Sequence, residues 1–133
     1  MLNVFPQLLV FNFFAPTLLR IVAAGTFFYL AFFHFSNRKA VAQELSLFPH
    51  AAANTMAGIF ALVECAVAIL LLLGLWTQIA ALIGFIICLK IVLIRKGLRH
   101  ISPLSHLSYL LLATICLSLL CTGAGAIAFD IPL

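Results

Sequence analysis

The run from Ala57 to Trp76 constrains this chain more than any other stretch, because its twenty residues carry one charge, Glu64. About 20 apolar residues, rising about 1.5 Å each in a helix, match the hydrocarbon thickness of a bilayer. A carboxylate inside such a run costs on the order of 3 kcal/mol at the bilayer centre. It persists there by facing the protein interior, by finding a partner, or by taking up a proton. What Glu64 faces is therefore the first functional question.

The rest of the composition agrees with a membrane setting. Hydrophobic residues make up 66% of the 133 and charged ones 8%, against roughly 25% charged in soluble domains. With a mean hydropathy of +1.31, too little polar surface is left to cover a soluble core. The length allows one domain. The net charge of +4 comes from Lys and Arg in the loops between apolar runs, so it reflects topology and not nucleic-acid binding. The start, Met1-Leu2-Asn3, lacks a basic segment, and no cleaved signal peptide is expected. Cys65, Cys88, Cys116 and Cys121 all lie in apolar runs without CxxC spacing. They read as small core residues, with a redox role for one pair left open.

In chain order, residues 1–14 are interrupted by Pro6, Gln7 and Asn12 and read as an interfacial segment. Four spans follow, at about 16–35, 57–76, 79–94 and 103–121. Pro16 suits a first helical position. Arg20, Ala24, Phe27, Ala31 and His34 share one face of the first span. Ala57, Ala61, Glu64 and Ala68 form a small-residue face on the second, and Ala80, Gly84 and Cys88 one on the third. Thr77-Gln78 reads as the short turn of an antiparallel hairpin. Glu64 and Lys90 each stand thirteen residues from Thr77, so they are level and a salt bridge is geometrically allowed. Lys90 is also close enough to the end of its span to snorkel outward. The stretch from Ser36 to Asn54 has room for a short helix before Pro49. Ser102-Pro103 reads as the cap and first turn of the last span, with Thr114, Ser118 and Cys121 as a mildly polar stripe. Asp130 follows a glycine turn on the side where Arg20 enters, so these two charges are candidates to neutralise each other.

The expected fold is an all-α membrane protein, four transmembrane helices in an up-down-up-down bundle. Both termini and the short turn then lie on one side. The two long loops, with Arg38, Lys39, Arg95, Lys96 and Arg99, lie on the other. The excess of loop Lys and Arg places the long loops in the cytoplasm.

Three blocks carry a family resemblance. Leu19-Arg20-Ile21-Val22-Ala23-Ala24-Gly25 resembles the first-helix start of the DoxX family. Glu64, the run Leu70 to Leu75 and Thr77-Gln78-Ile79-Ala80-Ala81-Leu82 resemble its central block. Leu119 to Asp130 resembles its closing glycine-rich turn. Gln78 stands where that family usually has Arg, Ala128 where it has Ser, and no glycine follows His34. The resemblance implies a small four-helix protein of the bacterial or archaeal cytoplasmic membrane. Some relatives are linked to sulfur-compound oxidation with electrons passed to quinone, others to redox-protective complexes.

No nucleotide, P-loop or zinc signature is present. The histidines His34, His50, His100 and His106 map to the long-loop side, and their spacing fits no metal site. The ligand-binding or proton-carrying candidates are Arg20, Glu64, Lys90, His34 and Asp130, and no metal is expected. The first functional expectation is a subunit of a membrane redox system. It handles quinone or small sulfur compounds in a polar cleft shared by Arg20 and Glu64. Arg20 binds an anion or a quinone oxygen there, and Glu64 carries protons. No cofactor beyond quinone is implied. The alternative is a non-catalytic scaffold in which Arg20, Glu64 and Lys90 only neutralise one another. The expected partners are the bilayer, redox partner subunits or further copies of the chain, and not nucleic acid.

The topology is testable. Single cysteines placed at Lys96 and at Asn3, in a cysteine-free background, are treated with an impermeant thiol reagent on intact cells. Labelling at position 3 alone is expected, and labelling at position 96 alone would reverse the orientation.

Overall fold

A computed structural model describes residues 14–44, 50–94 and 103–123. Residues 1–13 of the interfacial segment read at 1–14, the basic loop residues 95–100 and Asp130 lie outside them. The described residues form helices α1 (Ala15–Ser36), α2 (Arg38–Glu44), α3 (His50–Leu73), α4 (Thr77–Ile94) and α5 (His106–Thr122), with no strand among them.

Each helix end has a local cause. Pro16 sits in the first turn of α1, where its missing N–H removes no helical bond. Asn37 ends α1, its amide and side-chain nitrogen both donating to the Phe33 carbonyl. The α3–α4 turn is Gly74-Leu75-Trp76, not Thr77-Gln78, which instead opens α4. Gly74 takes φ 69°, a left-handed conformation that lacks a Cβ penalty only in glycine. The amides of Gly74 and Leu75 then donate to the Leu70 carbonyl at 2.9 and 3.1 Å, closing the helix. The last helix starts later than the Ser102-Pro103 reading. Its cap is Ser105, in extended conformation, with its side-chain oxygen accepting from the Ser108 amide.

Packing follows the small-residue faces. α1 lies against α3 and α5, and α4 lies against α3 and α5. Arg38, just past the end of α1, donates from Nη2 to the Asn54 carbonyl near the start of α3 at 3.4 Å, so α1 and α3 run in opposite directions. Arg38 also lies across Gly58, where a Cβ would stand 2.6 Å from Nη2, and over the Phe35 ring. This ties the short helix α2 to α3. The sequence-read faces are the buried ones. Arg20, Ala24, Phe27, Ala31 and His34 of α1 are buried, as are Ala57, Ala61, Glu64 and Ala68 of α3, and Ala80, Gly84 and Cys88 of α4. The Thr114, Ser118 and Cys121 stripe faces outward, and the Thr114 hydroxyl bonds back to the Leu111 carbonyl at 2.8 Å.

The outer faces are apolar. Phe28, Phe32, Leu62, Leu93 and Leu107 are among many large hydrophobics left exposed, a pattern that suits lipid and not water. Ala15–Ser36 and Ala53–Leu73 are long and apolar enough to cross a membrane, and Thr77–Leu93 and His106–Thr122 are shorter apolar helices.

Phe27 reaches the centre of the core from α1. A Cβ on Gly84 of α4 would stand 2.8 Å from the Phe27 ring and 3.3 Å from the Cys116 sulfur of α5. Gly84→Ala is expected to destabilise by about 1–3 kcal/mol through overpacking. Gly25→Ala, with nothing within 4 Å of its Cβ, is expected to be neutral or slightly stabilising. Thermal unfolding in detergent checks both, and Phe27→Leu should recover part of the Gly84→Ala loss.

Candidate functional site

Two of the buried polar side chains meet. His34, on the last turns of α1, places Nδ1 2.7 Å from Oε2 of Glu64, in the middle of α3. His34 is 2% exposed and Glu64 0%. The α1 face brings His34 inward because it stands seven residues, two turns, beyond Phe27. The α3 face brings Glu64 inward among Ala57, Ala61 and Ala68, whose small side chains let α1 approach.

The contact has two protonation forms. With a carboxylate, His34 Nδ1–H donates to Oε2, and with a carboxylic acid, Glu64 donates to Nδ1. A proton can thus be taken up or released without the two side chains parting. The second carboxyl oxygen, Glu64 Oε1, is buried and has no hydrogen-bond partner among the described residues. Leaving such an acceptor unmatched costs about 1–3 kcal/mol, so this oxygen is the part of the pair still open to chemistry.

Phe60 covers the pair. Its ring centroid is 5.8 Å from that of His34, edge to face, and Lys90 Nζ lies 5.8 Å from the same centroid. Phe33, the preceding residue, stands edge-on to His34 at 6.0 Å. The imidazole therefore has two aromatic neighbours, and its burial keeps it from bulk water.

The candidate residues separate as follows. His34 and Glu64 come together. Lys90 is exposed and, among the described residues, makes no ion pair with Glu64. It is level with Phe60 on the hairpin, and its chain turns outward, where its charge is cheaper to keep. Arg20 is buried at 3%, beside the buried Thr17 one turn earlier on α1. It stands fourteen residues before His34, roughly 21 Å along the helix, so it does not share a cleft with Glu64. The interior holds two polar layers where one was expected. His106 is exposed. Asp130, His100 and the His50 side chain lie outside the described residues, and so does the Arg20–Asp130 pairing. No group of three or more metal-ligating side chains occurs among the described residues.

Sequence reasoning placed His34 on the correct face but did not match it to Glu64, and it missed Phe60. The face was readable, but the register between α1 and α3 was not, because a long connection leaves it free. The short turn read at Thr77-Gln78 set Lys90 level with Glu64, where the observed turn sets it level with Phe60.

Removing one partner strands the other in the interior. His34→Leu is expected to destabilise by about 3–5 kcal/mol. The His34→Leu/Glu64→Leu double variant should recover much of this, and a double-mutant cycle read by thermal unfolding measures the coupling. Additive losses would show that the contact contributes nothing.

No curated protein matches the chain, and no solved structure matches it. The DoxX family model matches residues 15–97, which contain α1 to α4 and both members of the pair. The chain therefore belongs to the DoxX family of membrane proteins.

Proposed function

We propose that the chain is a four-span protein of the cytoplasmic membrane, an up-down-up-down bundle of α1, α3, α4 and α5. In this reading His34 and Glu64 form the proton-handling centre of a membrane redox system that acts on quinone or small sulfur compounds. The observation that carries the reading is Glu64 Oε1, a fully buried oxygen without a hydrogen-bond partner among the described residues. A carboxyl group with one oxygen tied to imidazole and the other open suits proton exchange with a guest.

The residues present fit a quinone head group chemically. Its carbonyl oxygens accept hydrogen bonds, and the pair offers an N–H or an O–H in one of its forms. Phe60 and Phe33 supply aromatic walls. When bound, a quinone supplies two-electron, two-proton redox chemistry. The chain's part is to orient the ring, exclude water, and hold the proton at Glu64 or His34. Arg20, in the separate layer, is proposed to bind an anionic group at the opposite end of the bundle.

A second reading has its own support. The 2.7 Å contact joins α1 to α3, so the pair also serves as a structural tie in a non-catalytic scaffold. The two readings differ in whether Glu64 exchanges protons with anything outside the pair.

A hydrophobic carbodiimide, which reacts with protonated carboxyl groups in membranes, distinguishes them. In native vesicles Glu64 is expected to be labelled, Glu64→Gln to abolish labelling at that peptide, and a short-chain ubiquinone analogue to protect it. Absence of labelling, with the folded state intact, would favour the scaffold.

A further inference from the structure

Two thiols stand next to this centre without a part in it so far. Cys88 of α4 and Cys116 of α5 are free and 0% exposed. Cys65 is only partly buried, and Cys121 is exposed. The Cys116 sulfur lies 3.3 Å from the point a Cβ on Gly84 would occupy. Cys88 follows Gly84 by one turn on the same face, and Cβ positions so related are about 5–6 Å apart. Gly84, by lacking a side chain, thus brings the α5 thiol onto the α4 face that carries the other. Cys88 and Cys116 belong to one buried cluster, and Glu64 is buried as fully as they are. The open oxygen Glu64 Oε1 is an independent observation, a buried proton acceptor in the same core that no group among the described residues hydrogen-bonds. A thiol reacts as its thiolate, so an acceptor nearby is what a redox thiol needs.

We infer that Cys88 and Cys116 are an intramembrane dithiol–disulfide couple, oxidised by a lipid-soluble quinone, with Glu64 receiving the Cys88 proton. The oxidant rests on the quinone reading above, while the couple itself rests on the placement of the thiols. In the reaction two S–H bonds break and one S–S bond forms. Two electrons and two protons pass to the quinone, giving the quinol, one of the protons by way of Glu64. Thiols outside the buried pair are not needed, so Cys65 and Cys121 are dispensable.

The test uses Cys65→Ala/Cys121→Ala, which keeps only the two buried thiols. Purified protein in lipid vesicles is treated with diamide or with a short-chain ubiquinone analogue, then denatured and reacted with maleimide. Intact mass and a peptide map follow. Loss of both thiols, a mass lower by two hydrogens and a peptide joining Cys88 to Cys116 are expected with either oxidant. Cys116→Ala should keep one free thiol and form no internal bridge. Glu64→Gln should slow closure by either oxidant by about a hundredfold or more, because both need the Cys88 thiolate. No bridge with either oxidant overturns the couple, even where quinone still protects Glu64 from carbodiimide. A bridge with diamide alone overturns quinone as the oxidant and counts against the reading it rests on. Equal rates of quinone closure with and without Glu64 overturn its role as proton acceptor.

Discussion

A hydrogen bond between imidazole and carboxyl, buried where neither group can reach water, sets the terms for the rest of this protein. In a low-dielectric interior the contact is strong, and either partner alone is costly. Keeping both inside requires α1 and α3 to approach closely, which the alanines at 57, 61 and 68 allow. It also requires α1 to present His34 inward, so the same face carries Ala24, Phe27 and Ala31 into the core. The apolar outer faces follow, since the polar groups of the span have been gathered in the middle.

Basic residues show the complementary solution. Lys90 and Arg38 are not placed in the core but spread over its edge, each beside an aromatic ring, Phe60 and Phe35. Their long stems cover apolar surface while the charged ends stay near polar surroundings. Arg20 is the exception, buried one turn beyond Thr17 and close to the start of its helix. A guanidinium keeps its charge in almost any setting, so its burial concentrates a fixed positive charge at one end of the interior. The His34–Glu64 layer, by contrast, can change its charge.

Much of this was readable from residues alone. The inward faces of α1, α3 and α4 were set by small residues at helical spacing, and burial agrees at each one named. The family was readable from three short blocks. The turn was misplaced by three residues because apolar Leu75 and Trp76 look like a continued span. Only the backbone shows that Gly74 has already left the helix, with φ 69°. The partner of Glu64 was not readable, because helical periodicity fixes rotation about an axis and says nothing of the sliding of one helix along another. Lys90 shows a related limit: counting from Thr77 set it level with Glu64, but with the turn at Gly74-Leu75-Trp76 it comes level with Phe60, one turn away.

Phe27 divides α1 evenly, seven residues from Arg20 and seven from His34, and its ring crosses to the Gly84 backbone. It therefore acts as a septum. Arg20 and the His34–Glu64 pair stand on either side of a packed apolar layer that holds the ring, small side chains and a thiol. With so little room around it, the ring keeps the two polar layers apart by packing alone, and a substitution that frees it removes the barrier between them.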